Sequence, residues 1–475
     1  MAINSNKYKR LFSDTVLFAI SSFGSKFLYF LLTPLYTSTL STADYGIADM
    51  ITTTINFIYP ILTLAIAEAT LRFALDRNES RGEVLGCSLL FTIVSSVILL
   101  IATPFVDLIG SELAQYWLYF MVIYFIFNIH NTLGNYLKGI GKTKHIAIQS
   151  ILQALTIIGS NVVFLLVFKW GIKGYLNSMI AGHLVALTYM IVFGRIYRDI
   201  PKISLKKSTI KKMLLYSLPM IPTLLAWAAN SSIDKYMIIG FVGLDANGLY
   251  SVAHKIPTLV TAVLSVFLQA WQLSAIENHG ADDESSYYTK AYAGLNVVSV
   301  LGIGILILLT KPIASVLFAL DFYTAWKFVP LLAIASMFTT LSGFLASAYR
   351  AAKKTQSLLY SVLIGAIINI ILNIVLLKAI GTIGAAMATA ISFALVWLIR
   401  IVLVQKIVRI RINIFTTVST YVILTVLALI YTAEVPYWIV IYIIGICAVV
   451  LLNIKDIISI VKSMLLLVIS KIKRR

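Results

Sequence analysis

Charged residues are scarce in this 475-residue chain, because Asp, Glu, Lys and Arg together make up only 12% of it. A soluble protein carries roughly twice that share of charged residues. Hydrophobic residues make up 60% of the chain, and the mean hydropathy is +0.93. Because the apolar residues extend over the whole length, the composition excludes a set of soluble domains and predicts a polytopic membrane protein.

The chain also lacks the residues that several kinds of chemistry require. Its two cysteines, Cys87 and Cys447, both lie in apolar runs, which excludes a disulfide framework. No cluster of His, Cys and Glu has the spacing of metal ligands. No glycine-rich phosphate-binding loop is followed by Lys and Ser or Thr. We therefore expect no metal, no cofactor and no ATP hydrolysis by this chain alone.

Apolar runs long enough to cross a hydrocarbon core of about 30 Å recur along the chain. They predict an all-α fold with fourteen transmembrane helices, at 11–36, 44–71, 84–106, 113–137, 146–168, 174–196, 213–242, 246–276, 287–309, 326–349, 357–377, 384–404, 414–432 and 438–452. The first run has a basic leader but no small-residue cleavage site, so we expect a retained helix rather than a signal peptide.

Positive charge orients these helices. The 38 Lys and Arg residues outnumber the 19 Asp and Glu residues. With the N-terminus inside, about thirty of the basic residues fall in inner segments and about five in outer loops, as the positive-inside rule requires. We therefore predict that both termini are cytoplasmic. The net charge of +19 is then an orientation signal, and we expect no binding of nucleic acid.

The two halves of the chain resemble each other at a period near 210 residues. The matched pairs are Gly171 with Gly381, Tyr136 with Tyr349, Lys142 with Lys354, Asn161 with Asn373, Lys26 with Lys235, and Gly46 with Gly248. Six helices per half insert both halves the same way up, so the halves are related by a pseudo-two-fold axis along the membrane normal, with the pathway between them.

This duplication predicts the domain organisation. Residues 1–205 form an N-terminal lobe of helices one to six, and residues 206–408 form a C-terminal lobe of helices seven to twelve. Residues 409–455 form an additional helix pair. Residues 456–475 alternate apolar and basic residues, which is typical of a helix lying on the inner membrane face.

Charges inside the predicted helices mark the candidate site. A charged residue at the centre of a membrane helix costs about 2.5–3.5 kcal/mol, so it usually faces water or a partner. Lys26, Lys235 and Lys255, with His254, predict a cationic cavity between the lobes. Asp234 is the carboxylate nearest to them in sequence and is the candidate for ion coupling. Alternatively, these charges snorkel or form structural pairs, for example Asp234 with Lys255.

Helix two contains a second carboxylate that could couple transport to an ion. Glu68 and Arg72 stand four residues apart near the predicted inner end of this helix. That spacing also fits a structural ion pair between the two side chains. Both interpretations remain open at this point.

Several short motifs, taken in order, resemble one transporter family. They are Leu31-Leu32-Thr33-Pro34-Leu35-Tyr36, Leu40-Ser41-Thr42-Ala43-Asp44-Tyr45-Gly46, Ile233-Asp234-Lys235-Tyr236-Met237, the segment from Gly248 to Pro257, and Gln269-Ala270-Trp271-Gln272. The chain resembles the polysaccharide-export flippases of the MATE/oligosaccharidyl-lipid/polysaccharide exporter superfamily over essentially its full length.

This resemblance implies a function. Such a protein would be a flippase of the bacterial inner membrane, not an enzyme, that moves undecaprenyl-pyrophosphate-linked oligosaccharide, such as an O-antigen or capsule repeat unit. It implies alternating access coupled to a proton or sodium gradient, and a polysaccharide polymerase is a candidate partner. The cavity lysines would neutralise the diphosphate of the substrate.

Three rival functions stay open. A flippase for a peptidoglycan lipid precursor fits the same sequence features. A multidrug antiporter of the same fold exports cations and would favour carboxylates in its cavity, whereas this chain has lysines. A membrane glycan polymerase or ligase should carry catalytic Arg or His in a large outer loop, but every predicted outer loop is short.

Overall fold

The computed structural model describes residues 24, 27–76, 78–104, 114–280, 282–352, 354, 356–459 and 462. Within these residues the chain forms helices and turns and no β-strand, which confirms the predicted all-α fold class. Lys26, most of predicted helix one and residues 463–475 of the predicted basic tail lie outside the described residues.

The chain divides into two compact units, and the first spans residues 1–251. Its helices are α1 (Thr33–Thr39), α2 (Thr42–Leu62), α3 (Ile66–Ala74), α4 (Arg81–Ile101), α5 (Trp117–Gly139), α6 (Thr143–Asn161), α7 (Gly171–Val192), α8 (Lys207–Ser217), α9 (Ile221–Phe241) and α10 (Leu244–Ala253), the last of which ends just beyond the unit. A π-helical segment (Val162–Val167) extends α6, and two 3₁₀ turns (Ile196–Arg198 and Ile200–Lys202) follow α7.

The second unit spans residues 252–475. Its helices are α11 (Lys255–Glu277), α12 (Glu284–Leu317), α13 (Val329–Ala351), α14 (Gln356–Ile380), α15 (Thr382–Val404), α16 (Ile414–Thr432) and α17 (Trp438–Leu452). Helix α13 packs against α11, α12, α15 and α16 and is buried along most of its length. Buried Arg400 of α15 donates to Ser361 Oγ at 2.9 Å and to the Ser342 carbonyl at 3.0 Å, so this cation has a structural role within the unit.

Most of the predicted spans coincide with helices, but predicted helix two is broken. It forms α2 and α3, which meet at an angle of 67°. Pro60 lies inside α2 and lacks the N–H that a continuous helix needs. Beyond it, Leu64 and Ala65 both adopt a left-handed backbone with φ of 53°, a conformation that a right-handed helix cannot contain. A second proline, Pro219, accompanies the 3₁₀ turn that divides predicted helix seven into α8 and α9.

Nine helices among the described residues are long and apolar enough to cross a membrane, or ten if α2 and α3 form one bent span. The protein is therefore a multi-span membrane protein. The count of fourteen is consistent with these helices but stays a prediction, because much of predicted helix one is not among the described residues.

Buried hydroxyl and amide groups join the helices of the first unit. Thr70 of α3 and Ser88 of α4 lie 2.6 Å apart between their side-chain oxygens. Asn128 of α5 donates to Ser95 Oγ of α4 at 2.9 Å. Since lipid is as apolar as the side chains themselves, helix association in a membrane depends on such hydrogen bonds and on close packing.

Residues matched between the two halves of the sequence have the same local structure in each unit. The side-chain amide of Asn161 donates to the carbonyl four residues earlier at 2.7 Å, and that of Asn373 does so at 2.9 Å. The backbone N–H of Lys142 bonds to the carbonyl five residues earlier at 2.9 Å, as that of Lys354 does at 2.8 Å. Gly171 and Gly381 both have positive φ, 54° and 63°. These similarities support the duplication predicted from the sequence.

The boundary between the compact units does not fall at the boundary predicted between the lobes. Helix α9, which the sequence assigns to the C-terminal lobe 206–408, packs against α2 within the first unit. The lobe boundaries stay a prediction, and the α2–α9 contact is the feature that positions the candidate site.

Candidate functional site

The candidate site is a contact between the two halves of the sequence, inside the first compact unit. We call it the repeat seam and define it by Thr42, Gly46, Asp49 and Thr54 of α2, Lys235 and Tyr236 of α9, and Asp245, Asn247 and Gly248 of α10. Helix α2 begins here because the Ser41 side chain caps it, accepting from the backbone N–H of Asp44 at 3.1 Å. Helix α10 begins after Gly243, whose φ of 127° favours glycine.

Two glycines allow the backbones of α2 and α10 to touch at the seam. A Cβ added at Gly46 would collide with the carbonyl oxygen of Leu244, and one added at Gly248 would collide with the carbonyl oxygen of Thr42. The contact is reciprocal, because Thr42 and Leu244 each stand four residues before their own glycine. Equivalent residues of the two halves therefore face each other, and no larger residue fits at either glycine without displacing a backbone.

Polar bonds complete the contact between the helix starts. The side-chain amide of Asn247 donates to the Gly46 carbonyl at 3.0 Å. The Thr42 hydroxyl donates to a carboxylate oxygen of Asp245. Asn247 is fully buried, so its bond to a backbone carbonyl offsets the cost of removing the amide from water.

An ion pair joins α2 to α9, about one turn further along α2. Lys235 Nζ lies 2.9 Å from each carboxylate oxygen of Asp49, and the two side chains are 16% and 18% exposed. Next to this pair, the Tyr236 hydroxyl and Thr54 Oγ1 lie 3.1 Å apart. In a low-dielectric environment the attraction within a charge pair is strong, and removing one partner leaves the other charge uncompensated.

Asp234 has different surroundings from its neighbour Lys235. Its side chain is buried, and the Tyr250 hydroxyl donates to one of its carboxylate oxygens at 2.6 Å. Consecutive residues of a helix point about 100° apart, which explains why Asp234 and Lys235 contact different groups. The Asp234–Tyr250 bond joins α9 to α10.

The other predicted site residues are not part of the repeat seam. Lys26 lies outside the described residues. His254 and Lys255 belong to the second unit, where Lys255 is the first residue of α11. Both of these residues are half-buried. Glu68 is half-buried on α3, and the six ion pairs among the described residues do not include a Glu68–Arg72 pair.

Asp49 is the residue that the sequence reasoning missed. It lies in predicted helix two, where a carboxylate is costly, and that cost is the signal that could have found it. It also stands three residues after Gly46, on the same face of α2. With Asp49 included, Lys235 is a paired cation rather than an uncompensated one. An anionic ligand that reached Lys235 would have to compete with the Asp49 carboxylate.

Comparisons with known proteins agree with this architecture. A family model described as polysaccharide biosynthesis protein matches residues 11–272, which is more than half of the chain. A comparison with curated protein sequences gives no match.

Solved structures of two kinds of transporter have a similar fold. The lipid II flippase MurJ, in an inward closed conformation, is 16% identical with a TM-score of 0.69, over 95% of this chain and 100% of that chain. A multidrug resistance MATE family transporter of the MOP superfamily, in an inward-facing conformation, is 14% identical with a TM-score of 0.67, over 82% of this chain and 98% of that chain. An outward-facing structure of such a transporter has a TM-score of 0.58 at 14% identity, over 83% and 95%.

Identities at this level establish similarity of fold and nothing finer. The family model is the stronger finding, because it covers α1 to α10 and most of α11, and therefore every residue of the repeat seam. On that match, the chain belongs to the polysaccharide biosynthesis protein family.

Proposed function

We propose that this protein is a flippase that moves undecaprenyl-pyrophosphate-linked oligosaccharide across the bacterial inner membrane, with both of its termini in the cytoplasm. The observation that carries the proposal is the Lys235–Asp49 ion pair at the repeat seam. It places a paired cation within predicted helix seven, where a substrate diphosphate could replace the Asp49 carboxylate as the partner of Lys235. Membership in the polysaccharide biosynthesis family supports a glycan as the cargo.

The transport cycle that we propose is alternating access. Both helix starts of the seam follow loops that the charge distribution assigns to the outer side, so the closed seam would block outward release. Opening it requires Gly46 to separate from Gly248 and Asp49 to release Lys235. The substrate diphosphate would compensate the lysine when Asp49 withdraws, which lowers the cost of opening only when substrate is bound.

Asp234 is our candidate for coupling this cycle to a proton or sodium gradient. It is buried and hydrogen-bonded to Tyr250, so a change in its protonation or an ion at its carboxylate would alter the α9–α10 contact. Glu68, half-buried on α3, is the second candidate. Lys26, His254 and Lys255 remain proposed members of the substrate cavity, and a polysaccharide polymerase remains a proposed partner.

Two other substrates are favoured by particular observations. The similarity of fold to MurJ favours a peptidoglycan lipid precursor, which is also a diphosphate-linked glycolipid. The similarity to a MATE transporter favours a multidrug antiporter. A cation exporter, however, gains nothing from a lysine in its pathway, because like charges repel.

The test is a flipping assay with purified protein in vesicles that carry an ion gradient. We expect transport of undecaprenyl-pyrophosphate-linked oligosaccharide, slower transport of lipid II, and no transport of a cationic dye. Faster movement of lipid II would favour the peptidoglycan precursor, and dye export would contradict the proposal. Lys235→Ala should abolish transport, and Lys207→Ala, which changes an exposed lysine at the start of α8, serves as its control.

A further inference from the structure

A strongly basic pocket of about 390 Å³ lies in the first compact unit, and none of its lining residues belongs to the repeat seam. It is formed where α4 and α6 begin and where the linker after α7 passes them. Its charged lining consists of Arg81, Lys142, Arg195, Arg198, Asp199 and Lys202. The charge distribution of the sequence assigns the starts of α4 and α6 and this linker to the cytoplasmic side.

Backbone packing holds the linker over the start of α4. A Cβ added at Gly82 would collide with the carbonyl oxygen of Lys202. The Ser204 N–H lies 3.5 Å from the Gly82 carbonyl oxygen. Further along, Lys212 pairs with Glu79 at 2.8 Å and Lys206 with Glu83 at 3.9 Å. The linker segment that carries Lys202 is therefore held against α4 and the residues just before it.

Hydrogen bonds hold two other charged groups of the pocket in place, Lys142 and Asp199. Lys142 Nζ donates to the Gly194 carbonyl at 2.7 Å. Asp199 is buried, accepts from the Tyr136 hydroxyl at 3.1 Å and lies 3.7 Å from Lys202 Nζ. The carboxylate thus already has partners in the folded protein, and it compensates only part of the positive charge around it.

Positive charge is in excess in this pocket. Five Lys and Arg residues line it, against one carboxylate. Among the described residues, Arg81, Arg195 and Arg198 take part in no ion pair. The pKa of Lys142 is lowered, first by burial and then by these arginines, although Asp199 opposes the shift. Mutual repulsion of this kind is relieved when an anion binds between the cations.

The surroundings of the pocket place it at the level of lipid headgroups. Two of the candidate membrane spans, α4 and α6, begin at the pocket, and α7 ends there. The linker exposes the apolar side chains of Tyr197, Ile200 and Leu205 beside its basic residues. Exposed apolar residues alternating with Lys and Arg are typical of a segment at the membrane interface. Basic pockets at the cytoplasmic ends of membrane helices suit phosphate-bearing headgroups.

We propose that this pocket binds a phosphate group, with three guanidinium groups and two ammonium groups as donors. Guanidinium groups suit this ligand because their planar pairs of N–H donors match two phosphate oxygens. The phosphate could belong to the headgroup of an anionic phospholipid or to a soluble phosphate. The site is separate from the repeat seam and does not depend on the substrate that the protein moves.

Titrations with phosphatidylglycerol and with sodium phosphate distinguish a lipid headgroup from a soluble phosphate as the ligand. Purified full-length protein in neutral detergent would be titrated with phosphatidylglycerol, with phosphatidylcholine and with sodium phosphate, and binding would be followed by native mass spectrometry. The pocket variant is Arg195→Gln with Arg198→Gln. The matched control is Lys207→Gln with Lys211→Gln, which removes the same charge from exposed positions of α8, the helix that follows the linker.

We expect the wild type and the control to bind phosphatidylglycerol about thirtyfold more tightly than the pocket variant does. Saturation of the pocket by sodium phosphate, with no preference for phosphatidylglycerol, would support a soluble phosphate as the ligand. Equal losses in the pocket variant and the control, or equal binding of phosphatidylglycerol and phosphatidylcholine without phosphate binding, would overturn the proposal.

A second variant tests the shape of the pocket without changing its charge, and its folding is checked separately. Gly82→Ala preserves every basic residue but forces Lys202 and its linker segment away from α4. We expect it to weaken phosphatidylglycerol binding while the protein elutes as a folded species in size-exclusion chromatography. Gly134→Ala, at a helical glycine with nothing within 4 Å of the added Cβ, is its control. Unchanged binding by folded Gly82→Ala protein would count against the pocket.

Discussion

Asp49 compensates the charge of Lys235 and so changes the role that this lysine can have. Without a partner, Lys235 would be an uncompensated cation that attracts an anion directly. With both carboxylate oxygens of Asp49 at 2.9 Å, the lysine is compensated while the seam is closed. Lys235 has two possible roles, closing the seam and binding substrate, and the two roles require different charges on α2 and α9. A pair needs opposite charges on α2 and α9, whereas substrate binding needs a cation on α9.

A charge exchange separates these two roles. We expect Lys235→Ala and Asp49→Ala each to impair surface polysaccharide, because each leaves a half-buried charge without its partner, at a cost of up to about 3 kcal/mol. If the pair closes the seam, the double exchange Asp49→Lys with Lys235→Asp restores part of the protein stability lost in the single variants. If Lys235 also binds diphosphate, the exchanged protein is stable but inactive. Stability is measured by thermal unfolding in detergent, and activity by polymer at the cell surface.

Asp234 offers a second prediction for single residues. Asp234→Asn keeps the shape of the side chain and removes its negative charge. We expect binding of lipid-linked oligosaccharide to survive or tighten, since the site becomes more cationic, and the gradient dependence of flipping to fall. Binding to purified protein and flipping in vesicles are the two measurements. Lost binding by folded protein would contradict the charge assignment, and unchanged gradient dependence would direct attention to Glu68.

Helices α2 and α10 meet through their backbones, so the seam depends on helix geometry more than on side chains. Glycine is costly inside a helix by about 1 kcal/mol relative to alanine. Gly46 and Gly248 each carry this cost near a helix start, where the close approach of a facing carbonyl requires it. The reciprocal arrangement makes the two glycines equivalent, and we expect them to respond alike to substitution.

The prediction for these helices is a comparison of four alanine variants. Gly46→Ala and Gly248→Ala should each abolish transport, because the new methyl group prevents the seam from closing as described. The double variant should be no worse than either single one, since both disrupt the same contact. Gly240→Ala, in α9 with nothing within 4 Å of the added Cβ, should keep full activity. Normal transport by Gly248→Ala would show that transport does not require the seam to close.

For the molecule as a whole, much of the architecture follows from the sequence and part of the site does not. Helices α16 and α17 occupy the predicted ranges, because hydropathy alone defines a membrane helix bounded by polar residues. The break between α2 and α3 was missed, since prolines are frequent in membrane helices and often leave them continuous. Asp49 was missed for a different reason: its partner Lys235 is 186 residues away, and such pairing depends on tertiary contacts that hydropathy does not describe.

The prediction for the whole molecule concerns which loops lie on each side of the membrane. In a background without Cys87 and Cys447, single cysteines at Lys173 and Asp321 should react with an impermeant thiol reagent added outside the cell. Cysteines at Lys206 and Asp282 should react only after the membrane is opened. The reason is the bias of about thirty inner to five outer basic residues. Labelling of Lys173 and Lys206 positions from the same side would refute the fourteen-helix topology.

The glycine contact has a kinetic consequence. Where two backbones touch, no side chain lies between them that could change rotamer and hold a half-open position, and packed interfaces of this kind have discrete arrangements rather than a continuum. Fluorophores on α2 and α10 should therefore report two distance populations in single-molecule recordings, with exponentially distributed dwell times and no stable intermediate. Substrate should change the lifetimes of the two populations and leave their distances unchanged.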